Sequence, residues 1–214
     1  MGADGGLTGQ GGRPPGPPGR PGRRSASVRG SEHEPGPGRG DDRLAGEGPD
    51  ADPVEVARLI CLRQLETAPR TRSQLAGVLA RKHVPDDAAQ VVLDRFTEVG
   101  LIDDGAFARG WVESRHRSRG LAGRALSQEL RQRGVPGPEA AQALAELDPV
   151  TERATARRLV DRKLASTQRL DPAARLRRLG GMLARKGYPA GLAYEVVREA
   201  LRAEGLLDGS EFEA

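Results

Sequence analysis

Leu75 and Leu79 stand four residues apart, with Pro85 six residues further on, and the pattern recurs as Leu126, Leu130 and Pro136 and again as Leu179, Leu183 and Pro189. A Leu-x-x-x-Leu spacing puts both side chains on one face of a helix, and the proline then begins a new segment. The text around each copy agrees: VLARKHVP, ELRQRGVP and MLARKGYP. After each proline the apolar positions return at helical spacing, with Ala89, Val92, Leu93 and Phe96 answered by Ala140, Ala143, Leu144 and Leu147 and by Ala193, Val196, Val197 and Ala200. One further helix precedes each Leu-x-x-x-Leu segment, roughly Val54 to Glu66, Gly105 to Arg117 and Pro149 to Ala165. The pattern predicts a three-helix unit repeated three times, over residues 53–102, 103–147 and 148–207.

Helix starts are legible too. Asp52, Asp148 and Asp171 each precede a proline, pairing an N-cap acceptor with a first helical residue that needs no N–H partner. Thr71 and Gln74 have the spacing of a capping box. Asp86-Asp87 and Asp103-Asp104 sit where helices begin and read as charges favoured by the helix dipole. With aromatics at 3% and no strictly alternating segment, no strand is expected, and the fold class is all-α.

Composition divides the chain near residue 52. Residues 1–52 hold 15 of the 29 glycines and 8 of the 16 prolines, with Met1, Leu7, Val28 and Leu44 as the only large apolar side chains, so a disordered low-complexity tail is expected there. Its first 30 residues are net +4 and the remainder net −5, a segregation that suggests weak electrostatic contacts or a merely solubilising extension. Residues 208–214 read as a short C-terminal tail.

Charge follows the repeat. Residues 53–85, 105–135 and 149–188 are net +4, +5 and +8, while 86–104, 136–148 and 189–214 are net −5, −3 and −4. The first two helices of each unit are basic and the third is acidic. Stacked units would then carry a basic side and an acidic side, or the helices of one unit simply attract each other.

Little points to catalysis. Cys61, the lone cysteine, lies amid Leu59, Ile60, Leu62 and Leu65 and reads as a small buried apolar residue. It cannot close a disulfide within the chain, and no Cys/His cluster offers a zinc site, so a reducing, cytoplasmic setting is expected. There is no nucleotide loop and no H-E-x-x-H, and His33, His83 and His116 are far apart. No run of 18 apolar residues and no secretory signal is present.

Within this frame the middle unit resembles the RecX family, regulatory proteins that modulate the RecA recombinase. The resemblance is carried by Gly100-Leu101-Ile102, Asp103-Asp104, Phe107-Ala108, Trp111-Val112, Gly120, Glu129-Leu130 and Gly134-Val135. The flanking units fit the same plan, so it covers about residues 54–207 and leaves out the tail. It implies an elongated, curved array of three-helix units that acts as a monomer without cofactor or catalysis. It further implies binding along the groove of RecA filaments, suppressing ATP hydrolysis, strand exchange and filament extension, with weak DNA binding in some members. A helix-turn-helix DNA-binding protein and a helical-repeat scaffold are the rival readings.

The residues expected to face RecA or DNA are basic. Arg109, Arg115, Arg117, Arg119, Arg124, Arg131 and Arg133 crowd the middle unit, and Arg81 with Lys82 and Arg185 with Lys186 occupy the corresponding turns of the outer units. Arg153, Arg157, Arg158, Arg162 and Lys163 add charge along one helix of the third unit. Phe107 and Trp111 share a helical face and are read as core, with an exposed tryptophan anchor as the alternative. Gly180-Gly181, inside a helix, implies either close packing or a flex point.

Overall fold

The computed structural model describes residues 52–205. The tail expected over residues 1–52 lies outside the described residues apart from Asp52, as does the C-terminal tail. The described residues form α1 (Pro53–Thr67), α2 (Arg72–Arg81), α3 (Asp86–Glu98), α4 (Asp104–Arg119), α5 (Gly123–Gln132), α6 (Gly137–Ala145), α7 (Pro149–Leu164), α8 (Pro172–Arg185) and α9 (Ala190–Ala203), with a 3-10 turn, Ala165–Thr167, after α7. No strand occurs among them. In each unit of three helices the third packs on both the first and the second.

The caps form as their side-chain chemistry dictates. Asp52, Asp148 and Asp171 accept hydrogen bonds from the free amides of α1, α7 and α8, and Asp103 does the same for α4. Thr71 and Gln74 complete both halves of the capping box, at 3.1 Å each. Pro85, Pro136 and Pro189 stand at the N-caps of α3, α6 and α9, where the missing N–H costs nothing.

The repeated leucines are the centre of the core. Leu75, Leu79, Leu126, Leu130, Leu179 and Leu183 are all fully buried, and each pair anchors its own apolar cluster. The third helices follow, although Leu144 and Leu147 of the middle unit are only partly buried. Burying such a side chain is worth about 1.5–3 kcal/mol, so one leucine face per unit stabilises each unit substantially. Cys61 is fully buried in the first cluster, as its neighbours predicted, and burial pushes its thiol pKa to about 11.

Neighbouring units meet through one recurring joint. The turn between α5 and α6 reaches the start of α2, where the Thr71 hydroxyl donates to the Arg133 carbonyl at 2.7 Å. The turn between α8 and α9 reaches the start of α5 in the same way, with the Ala122 amide donating to the Lys186 carbonyl at 2.8 Å. Thr71 spends its own amide on the Gln74 side chain and uses its hydroxyl instead, while alanine has only its backbone to offer. In addition, the Arg72 amide donates to the Asp104 carboxylate at 2.9 Å across the first joint. Across the second, Ala122 joins the apolar cluster of the third unit.

Gly180 and Gly181 lie within α8, but no helix presses on them. A Cβ at Gly180 would meet nothing within 4 Å, and one at Gly181 would meet only the flexible end of Arg185, at 3.5 Å. Close packing therefore does not require either glycine.

Candidate partner interface

The basic residues of the middle unit separate into two groups. Arg115 and Arg133 turn inward, with their guanidinium carbons 4.1 and 3.5 Å from the centre of the Trp111 ring. Trp111 is half-buried, stacks on Phe107 at 5.8 Å and donates its indole N–H to Glu129 at 2.8 Å. Glu129 also lies 3.6 Å from Arg115, whose side chain is only 12% exposed. Phe107 and Trp111 thus lie at the edge of the middle core rather than inside it, in a cluster already satisfied within the chain.

The remaining arginines face water. Arg109, Arg117, Arg119, Arg124 and Arg131 are exposed, and Arg109, Arg124 and Arg131 make no ion pair among the described residues. Arg117 pairs with Glu113 one turn back on α4, both ends of that pair being well exposed. Such a pair contributes little to stability and leaves the charges available to a partner.

The second joint brings together cations that are distant in sequence. The Lys186 ammonium donates to the Arg119 carbonyl at 2.5 Å. Partial burial first, and then the charges of Arg162 and Arg119, hold its pKa below the usual lysine value. Arg119, Arg162 and Lys186 thus lie close enough for their charges to repel where the second and third units meet, and repulsion of this kind is relieved by an anion such as a phosphodiester or a carboxylate. Arg185 is exposed beside Lys186. Arg81 and Lys82 occupy the equivalent turn of the first unit, and no backbone hydrogen bond ties that turn to another unit among the described residues.

Between α4, the end of α6 and α7 lies a cleft of about 570 Å³, rimmed by Arg109, Arg117 and Arg158 and by Glu113, Glu146 and Asp148. Its floor holds His116, buried and committed. Nδ1 donates to the Leu121 carbonyl at 2.8 Å, and Nε2 lies 3.1 Å from the Thr155 hydroxyl, which accepts from Arg158 at 2.9 Å. His116 is a strut between the second and third units. Among the described residues, no group of side chains is arranged to hold a metal ion and no helix is long and apolar enough to cross a membrane.

The acidic third helices are partly spent inside their own units. Asp94 pairs with Arg72 at 2.6 Å, Glu195 with Arg153 at 2.9 Å, and Glu204 with the buried Arg175 at 2.5 Å. Glu199 closes on Arg153 from the other side, and together the two carboxylates raise the pKa of that exposed guanidinium. Such pairs join basic and acidic helices of the third unit at Glu195, Glu199 and Glu204, and of the first unit at Asp94. In the middle unit, Arg115 pairs with Glu129 on α5 and Arg117 with Glu113 on α4.

Sequence reasoning found the exposed arginines but missed two things. The repeat register pairs Lys186 with Arg133 and carries no sign that Lys186 meets Arg119 and Arg162. Nor does any spacing signal that Arg133, beyond the end of α5, folds back over Trp111.

The chain is similar to known proteins along the described residues. The first, second and third three-helix domains of RecX match residues 57–96, 103–144 and 151–197. It is 59% identical over 157 residues to the regulatory protein RecX of Streptomyces lividans, covering 73% of this chain and 84% of that one. Identity is 57% over 150 residues to the regulatory protein RecX of Thermobifida fusca, covering 70% and 81% of the two chains. The fold resembles the crystal structure of RecX from Lactobacillus salivarius, with a TM-score of 0.67 at 16% identity, over 70% of this chain and 97% of that one.

Proposed function

Because this chain belongs to the RecX family, we propose that it is a non-catalytic regulator that binds RecA filaments and inhibits their ATP hydrolysis, strand exchange and extension, so modulating recombination and DNA repair in the cytoplasm. The observation that carries this reading is the match of all three units, in order, to the three domains of that family. A filament offers the same surface at regular intervals, and three linked units can add weak contacts whose combined strength gains from effective concentration. The exposed basic residues Arg109, Arg117, Arg119, Arg124 and Arg131, with Arg81, Lys82, Arg185 and Lys186 at the outer turns, form the contact face. Arg115 and Arg133 support that face from behind through Trp111.

The test is a titration of this protein into RecA hydrolysing ATP on single-stranded DNA. Inhibition is expected well below one copy per RecA subunit, and an unchanged rate at every ratio would overturn the reading. The convergence of Arg119, Arg162 and Lys186 favours one alternative, a protein that competes for DNA through its phosphates. In that case, added DNA would abolish the inhibition.

A further inference from the structure

The joint that recurs between units has requirements that can be read residue by residue, and the two outer ends of the array fail them. On the inserting side, the turn carries a left-handed glycine. A Cβ on Gly134 (φ +72°) would lie 2.2 Å from the Ser73 hydroxyl and 2.3 Å from its Cβ. A Cβ on Gly187 (φ +91°) would lie 2.4 Å from the Ala125 nitrogen and 2.9 Å from the Ala122 carbonyl. No side chain fits at either place. In the first unit the same position holds His83, with φ +57°, the one non-glycine residue with positive φ among the described residues. His83 is exposed there, so its Cβ meets no preceding unit.

On the receiving side, the joint needs a helix start with a donor to spare. That donor comes from Thr71 at the N-cap of α2 and from Ala122 at the N-cap of α5. In the third unit the register shifts. α8 begins one turn earlier, at Pro172, so the position equivalent to Thr71 and Ala122 is Arg175, inside the helix. Its amide already donates to the Asp171 carbonyl at 2.9 Å. Its side chain turns inward to Glu204, Thr167 and the Leu164 carbonyl, and it is 2% exposed. This end offers neither a free donor nor a flat helix start.

The structure assigns His83 and the added first turn of α8 the role of end stops, which close the array against end-to-end docking of a second copy of this chain. Each internal joint is heterologous, and a heterologous contact that does not close on itself propagates into a fibre unless something blocks it. A chain built of such joints needs terminal units that depart from the pattern. The departures fall at the two positions where the joint is made.

The test uses the full chain. One variant, His83→Gly, opens the inserting end. A second opens the receiving end by giving residues 172–175 the sequence of residues 119–122, through Pro172→Arg, Ala173→Gly, Ala174→Leu and Arg175→Ala. In sedimentation velocity the native protein and each single variant are expected to stay monomeric, while the combined variant associates progressively with concentration. End-to-end association of the native protein, or a combined variant that keeps native helicity and stays monomeric, overturns the proposal.

Should the grafted variant fail to fold, Gly187→His decides alone. With native helicity retained, the Ala122 amide should exchange with solvent at least about tenfold faster, because the wedge opens only the joint. Unchanged protection of Ala122 overturns the proposal. Gly100→His is the control, since Gly100 has φ +74° but nothing within 4 Å of its Cβ position. If that substitution exposes Ala122 equally, backbone strain and not the wedge is responsible, and the proposal fails.

Discussion

The phenolic oxygen of Tyr188 lies 3.2 Å from the carbonyl oxygen of Gly120, a buried hydrogen bond from the third unit to the left-handed residue that ends α4. Val84 and Val135 occupy the equivalent positions in the other units, so this hydroxyl belongs to the second joint alone. Tyr188→Phe removes the donor and leaves the packing in place. The expected loss is about 1 kcal/mol, seen as a lower urea midpoint at unchanged slope.

Alkaline pH should weaken the fold through two groups. Burial pushes the Cys61 thiol from 9.0 to about 11. Burial, followed by the charge of Glu152, pushes the Tyr188 phenol from 10.0 to about 12. Above pH 9 the unfolded chain therefore binds fewer protons than the folded one, and stability falls as pH rises through this range. Urea midpoints measured from pH 8 upward should decline, and Cys61→Ala should delay the onset. Iodoacetamide should label Cys61 slowly in the native protein and rapidly in urea, since the thiolate is the reactive form.

The two glycines within α8 weaken it without serving a contact. Gly180→Ala and Gly181→Ala should each raise stability by up to about 1 kcal/mol, read as an increase in Tm. Unchanged inhibition of RecA by the double variant would show that flexing at this point is not needed for activity.

Charge reversal should distinguish the two groups of arginines. Arg117→Glu, Arg119→Glu and Arg124→Glu together alter exposed side chains and should raise the concentration needed for inhibition by about tenfold or more, with helicity retained. Arg115→Glu is expected to do the opposite. It places a carboxylate against Glu129 beneath the Trp111 ring, so the protein should lose stability and Trp111 fluorescence should change. Circular dichroism and the ATPase titration, run on both variants, check the distinction.

The three-unit plan was legible because it is written in local chemistry. Leucines four apart must share a helical face, and an aspartate before a proline must cap a helix, whatever surrounds them. The same leucines are at most 1% exposed in the three cores. The exposed arginines were legible for a related reason, because a charge at a turn or helix end is driven toward water. Side chains that fold back were not. Arg115 and Arg133 look like Arg117 and Arg131 in the sequence, and only the position of Trp111 between them shows that they are spent inside the chain.

By itself the sequence determined that three similar helical units follow one another, where most of their helices start and which faces are apolar. Periodicity and capping act within a few residues and need no knowledge of the rest of the chain. Only the tertiary structure decided why glycine stands at residues 134 and 187 while histidine stands at residue 83. The reason is steric: the first two are met by the backbone or side chains of the preceding unit, and His83 is exposed.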